Sequence, residues 1–340
     1  MRYAILAVGL TTLLGNRPAA AQQAGPFGKQ AEAKIEGLVA FTEGPAWHPS
    51  GNVYFTDGIN NRILRRDRLG TIHTYRQPSG RANGLLFDRQ GRLLACEGAG
   101  EGGNRRITRT EADGTITVLA DRYEGRRFNS PNDLAVDSQD RIYFTDPRYG
   151  PRNDLELFDA AGRPVEGVYR IDPDGKVFRV LSHEVDRPNG ILVSANDKYL
   201  YVADNNNDAP RGGVAGARKL WRFDLLADGS VDAASQKLLY DWGTDRGPDG
   251  MALDQKGRIY AAAGLNKPNP PAETADKHKA GVFVITPDGK LEAFLPIPED
   301  SATNCAFGDA GLQTLYITAG HKLWSVRCDT PGRIAWPKRP

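Results

Sequence analysis

The chain has 340 residues, with 44 Lys and Arg against 42 Asp and Glu. The two signs are interspersed, and no basic stripe of the kind that binds nucleic acid or an anionic membrane is present, so neither is an expected partner. Three cysteines, Cys96, Cys305 and Cys328, include no C-x-x-C pair, which argues against a cysteine zinc site. Buried free thiols are the expectation, with one disulfide and one leftover thiol as the alternative.

Residues 1–21 read as a secretory signal peptide. Arg2 supplies the positive start, Ala4 to Leu14 the apolar run, and Pro18-Ala-Ala-Ala21 a small-residue cleavage region. Export to the periplasm or the outside follows from that pattern. Cutting after Ala21 removes Arg2 and Arg17 and brings the net charge near zero. Residues 22–32 then form a flexible N-terminal segment, and 33–340 a single domain.

Within that domain one pattern occurs six times: a polar opening residue, an apolar strand, a turn with Gly, Asn or Asp, and a second apolar strand. The openings are Glu43, Asn83, Asn132, Asn189, Asp249 and Asn304, spaced 40, 49, 57, 60 and 55 residues apart. Each interval accommodates about four strands, the size of a propeller blade. Between the repeats lie further strand pairs joined by Gly-containing turns, such as Gly167 to Ile171 and Val177 to Leu181 around Asp172-Pro-Asp-Gly175. Helical periodicity is absent. The pattern predicts an all-β, six-bladed β-propeller, with Ala33 to Phe41 supplying the outer strand of the last blade and so removing a free edge. Segments 21–30, 98–103, 205–216 and 267–278 are expected to be the least ordered.

In a propeller, equivalent positions of every blade surround one axis, so the six opening residues share one mouth of the central channel. Asn-Gly and Asp-Gly also occur as simple turn dipeptides, but Glu43-Gly-Pro is not a favoured turn. Converging Glu, Asp and Asn oxygens suit a hard divalent cation, with Ca²⁺ fitting best and Mg²⁺, Mn²⁺ or Zn²⁺ as substitutes. Such an ion polarises a carbonyl and acidifies water, and a carboxylate beside it serves as general base.

The segments Glu43-Gly-Pro-Ala-Trp47, Phe128-Asn-Ser-Pro-Asn-Asp133, Tyr143-Phe-Thr-Asp-Pro147, Arg187-Pro-Asn-Gly190, Gly247-Pro-Asp-Gly-Met251 and Thr303-Asn-Cys-Ala-Phe-Gly308 resemble the SMP-30/gluconolactonase (regucalcin-like) family. The resemblance implies a metal-dependent hydrolase that opens a small-molecule sugar lactone to its hydroxy acid. By motif match it places metal ligands at Glu43, Asn189 and Asp249, with Asn132 as ligand or substrate contact and Asp249 also as general base. Asn83, Tyr149 and Arg148 are candidate substrate contacts at the mouth, and Asn304 is expected to tune the pocket. Two departures from the bacterial pattern are the glycine-rich Gly98 to Asn104, which lacks a common histidine, and Arg148, where a proline is common. Rival readings are a phosphotriesterase-like hydrolase using the same metal and a non-catalytic propeller stiffened by calcium. A monomer or weak homo-oligomer is expected. The five histidines are scattered and no G-x-S-x-G is present, which disfavours zinc-histidine and serine-nucleophile chemistry.

Overall fold

The computed structural model describes residues 25–28, 32–210, 212 and 214–335. The signal-peptide reading of 1–21, and most of the segment 22–32, lie outside them. The described residues form a six-bladed β-propeller of antiparallel four-stranded sheets. The first blade runs from axis to rim as Thr42–His48, Asn52–Asp57, Arg62–Arg66 and Ile72–Arg76. The inner strands of the others are Ala82–Phe87, Leu134–Val136, Pro188–Val193, Met251–Asp254 and Ala302–Gly308.

The ring closes between the two ends of the chain, as the repeat count predicted. Lys34–Leu38 pairs antiparallel with Lys322–Arg327 as the outermost strand of the sixth blade, with Lys34 opposite Ser325 and Leu38 opposite Lys322. Glu36 fastens this strand on both sides, accepting from Ser325 Oγ at 2.6 Å and pairing with Arg66 of the first blade. Closure leaves no inner edge to recruit a foreign strand. A short strand, Gly332–Arg333, adds to the inner strand of the fifth blade at Leu253 and Asp254.

Each blade buries both faces against its neighbours, which explains the uninterrupted apolar strands. In the third blade, Phe144 packs toward Phe128 and Leu94, while the adjacent Tyr143 faces Ile191 and Phe223. Six apolar clusters occupy the six blade interfaces. All three cysteines are buried and unpaired, so the disulfide alternative is not realised.

Repeated aspartates shape the loops. Asp88, Asp137 and Asp254 each accept from backbone N–H groups two and four residues on, and from the Nε of Arg92, Arg141 and Arg258 at 2.7, 2.5 and 2.6 Å. This is the Asx-turn device that Asp favours at hairpin corners. The Asp that ends the second strand works differently. Asp146 accepts from Asn129 N and Ser130 N at 2.7 Å each, and Asp204 from Asp186 N and Arg187 N at 3.1 and 2.9 Å. These bonds hold the loop that leads into each inner strand.

Around the axis, hydrogen bonds link every blade to the next at the opening residues. Thr56 Oγ1 donates to Asn83 O at 3.0 Å, Gly84 N to Asn132 O at 2.7 Å, and Thr145 Oγ1 to Asn189 O at 2.6 Å. Gly190 N donates to Asp249 O at 3.0 Å, Gly250 N to Thr303 O at 2.6 Å, and Thr303 Oγ1 to Thr42 O at 2.9 Å, which completes the circle. The glycines are therefore required by close approach, and Gly44 also by its positive φ of 45°. A Cβ on Gly190 would lie 2.2 Å from Asp249 O, and one on Gly44 2.1 Å from Asn83 O. The inner strands bulge at these points, with register shifts between Glu43 and Ala46, Ala82 and Leu85, and Pro188 and Ile191. A bulge re-aims the side chain beside it, here toward the axis.

Gly190→Ala should cost about 2 kcal/mol or more in urea unfolding, because the blades cannot separate without breaking the ring. Gly58→Ala, where a Cβ would meet nothing within 4 Å, should leave the unfolding midpoint nearly unchanged.

Candidate functional site

Each opening residue stands at the start of an inner strand whose backbone the ring of hydrogen bonds has pinned, so their side chains converge without a dedicated loop. Glu43 and Asp249 are buried, at 6% and 4% exposure. Glu43 Oε2 accepts only from the adjacent Gly44 N, at 3.0 Å. Asp249 Oδ2 accepts from Arg246 Nη2 at 3.1 Å, while Asp249 Oδ1 is buried with no partner among the described residues. A buried carboxylate oxygen without a donor is costly, and such a group marks a place for an ion, a water or a reacting proton.

The electrostatics follow from burial. Glu43 is raised well above the usual carboxylate range, first by desolvation and then by the neighbouring Asp249 charge. Burial likewise pushes Asp249 up to about 6, against the Arg246 guanidinium and the nearby Asn189 amide, both of which favour the anion. A third carboxyl, Asp133, is pushed up to about 7 by burial, although Leu134 N at 2.9 Å and Asn304 Nδ2 at 3.3 Å donate to it.

The amides divide into two kinds. Asn304 is spent internally, with Nδ2 on Asp133 and Oδ1 accepting from Cys305 N at 2.7 Å. Asn132 has no side-chain partner among the described residues, and Asn83 Oδ1 is buried and unpartnered. Asn189 Nδ2 donates to Tyr149 OH at 2.9 Å. Tyr149 donates in turn to Asn205 O at 3.0 Å, and its hydroxyl pKa is raised by burial and by Asp249.

Arg148 is turned elsewhere. Its guanidinium bonds Asn129 O at 2.9 Å, Pro151 O at 2.7 Å and the Asp154 carboxylate, so it secures the loop after the third blade's second strand. Its neighbour in space, Arg187, is 1% exposed and reaches Asp208 with two bonds of 2.9 and 2.7 Å and Glu166 at 3.2 Å, with its guanidinium 5.3 Å above the Tyr149 ring. His48, by contrast, lies at the far end of its strand against Phe87 and Ser50 and is structural.

Among the described residues no group of three or more His, Cys, Asp or Glu side chains is arranged to hold a metal. The axial set is instead two carboxylates with amide oxygens. That donor chemistry, with one buried carboxylate oxygen and one amide oxygen left without partners, fits a hard cation and not a soft one.

A family model described as the SMP-30/gluconolactonase/LRE-like region matches residues 41–321. The chain belongs to this family. A gluconolactonase of Zymomonas mobilis is 29% identical over 315 residues, covering 86% of this chain and 80% of the relative. A pentonolactonase of Haloferax volcanii is 25% identical over 282 residues, covering 81% and 80%. The solved structure of a Xanthomonas campestris gluconolactonase superposes with a TM-score of 0.69 at 30% identity, covering 88% of this chain and 90% of that one.

Three residues of this family member's site escaped the sequence reading. Asp133 stands where Gly44, Gly84, Gly190 and Gly250 stand in other blades, and an acid in a glycine slot was the available signal. Arg246 lies three residues before Asp249 and bridges it to Glu273, whose Oε1 is 3.6 Å from Arg246 Nη1. Glu273 arrives from the proline-rich segment 267–278, which was expected to be loosely ordered. That segment is fastened by Asp245, which accepts from Thr274 Oγ1 at 2.5 Å and from the backbone N–H groups of Asp276, Lys277 and His278 at 2.8, 3.0 and 2.9 Å.

A carboxyl whose folded pKa exceeds its unfolded value adds stability that is full below pH about 4 and is lost as pH rises through the folded pKa. Asp249 at about 6 and Asp133 at about 7 act in this sense, joined by Glu43 and by Asp146 and Asp204 at about 7 and 6. His48, lowered by burial, opposes them with a single group. Chelator-treated protein should therefore lose unfolding free energy, by several kcal/mol, between pH 5 and pH 8, measured by urea titration. A flat or rising profile would contradict these assignments.

Proposed function

We propose that this chain is a lactonase that opens a sugar lactone to its hydroxy acid, using a divalent cation held on the propeller axis. The observation that carries the reading is Asp249 Oδ1, buried and without a hydrogen-bond partner among the described residues, beside the equally buried Glu43. Family membership and the lactonase relatives support the substrate class.

The oxygens of Glu43, Asn189 and Asp249 would hold the ion, with Asn132 beside them. Bound there, a cation such as Ca²⁺ supplies a Lewis acid for the lactone carbonyl and lowers the pKa of nearby water. The two anionic side chains would balance its charge, which removes the reason for Glu43 to be protonated.

Asp249 takes the proton as water adds to the carbonyl carbon. Burial raises its proton affinity, which favours a base, and the bound cation would lower it again. Arg246, on the Oδ2 edge, keeps the carboxylate ionised and fixes its rotamer, which leaves Oδ1 without a donor among the described residues. Ring opening then breaks the acyl carbon–ring oxygen bond, and the ring oxygen leaves as an alcohol after receiving a proton. Asn132 and Asn83 offer amide groups to the hydroxyls of a polyol lactone.

Chelated protein should release no acid from glucono- or pentonolactones, and Ca²⁺ or Mn²⁺ should restore turnover. Asp249→Ala should lower kcat by about 10²-fold or more with metal present. Full activity in Asp249→Ala, or undiminished turnover in chelator, would overturn the reading. Ca²⁺ at about 100 times its Kd should also raise the unfolding free energy by about 2.7 kcal/mol.

A further inference from the structure

Tyr149 has one hydroxyl proton, and the structure shows where it goes. Asn205 O, 3.0 Å away, is a carbonyl and can only accept. The Tyr149 oxygen therefore has only lone pairs to offer Asn189, at 2.9 Å. That settles which end of the Asn189 amide faces Tyr149: it is the nitrogen, and the oxygen is the end turned away from Tyr149. Were Tyr149 to donate to Asn189 instead, the Asn205 carbonyl would lose its donor and two oxygens would face each other.

We infer that Tyr149 is a positioning residue that sets the orientation of the Asn189 amide and so presents its oxygen to the axis. The inference rests on the proposed cation site and refines the reading of Tyr149 as a substrate contact.

The surroundings are built to keep this chain of bonds in place. The Asn189 backbone is held at its own carbonyl by Thr145 Oγ1 at 2.6 Å, so the residue can adjust only at its side chain. The Asn205 carbonyl belongs to the last residue of the strand Tyr199–Asn205, and Asn205 N donates to Arg187 O at 3.0 Å. Arg187 covers the Tyr149 ring at 5.3 Å and is itself locked by Asp208 and Glu166. An amide free to rotate would present its NH₂ to a cation about as readily as its oxygen, and a wrongly turned amide repels the ion. Groups one bond removed from a ligand commonly change metal affinity by 10–100-fold.

The test is calorimetric titration of chelator-stripped protein with CaCl₂, with no substrate present. Tyr149→Phe keeps the ring beneath Arg187 and removes only the hydroxyl. Its Kd for Ca²⁺ should rise about tenfold, with the far-ultraviolet circular dichroism unchanged. Asn189→Asp supplies oxygen at both ends, so adding Tyr149→Phe to it should change Kd by less than about twofold. Equal Kd values for wild type and Tyr149→Phe would overturn the positioning role. So would an equal loss in the Asn189→Asp background, since that would mark a packing effect. If wild type itself takes up no Ca²⁺, it is the cation site that fails, and the inference falls with it.

Discussion

The circle of hydrogen bonds around the axis is the constraint on which the rest depends. It runs through the backbone of the residues whose side chains make the candidate site, so closing the propeller and building the site are one event. Each link requires neighbouring inner strands to approach so closely that a Cβ on Gly44, Gly84, Gly190 or Gly250 would overlap the next blade. The strand Lys34–Leu38 completes the sixth blade and keeps the circle shut. Because the side chains are mounted on strands pinned at both neighbours, their geometry is set before any ligand arrives, the condition under which electrostatic stabilisation is most effective.

That preorganisation has an electrostatic cost. Glu43, Asp133 and Asp249 are all buried near the axis, and Arg246 is the cation that contacts one of them directly. Burial raises all three pKa values, with added repulsion from Asp249 at Glu43 and Asp133 and from Glu273 at Asp249. A fold selected for stability alone would not gather carboxylates here, and a divalent cation between Glu43 and Asp249 would turn the repulsion into attraction. The same burial that makes the site unfavourable when empty of charge partners gives Asp249 a proton affinity near neutrality.

The architecture was legible because it repeats. Six openings at near-regular spacing gave the blade number, and the apolar segment before the first of them gave the closing strand. The opening residues were legible for the same reason, since symmetry carries them to one place. What symmetry does not carry was missed. Glu273 reaches Arg246 through a loop folded back by Asp245, a contact with no periodic signature. Arg148 follows the third blade's second strand, which placed it at the mouth, yet Asn129 O, Pro151 O and Asp154 lie within its reach and absorb its guanidinium. The glycines after the openings were read in part as turn residues, whereas they admit the next blade, its backbone carbonyl at Gly44, Gly84 and Gly190 and the Asn304 side chain at Gly250.

The most direct test of the account is an anomalous difference map from crystals of the wild-type protein grown with Mn²⁺. The account predicts one peak on the axis, coordinated by side-chain oxygens of Glu43, Asn189 and Asp249. A map with no axial peak, or with the ion bound only elsewhere on the surface, would contradict it.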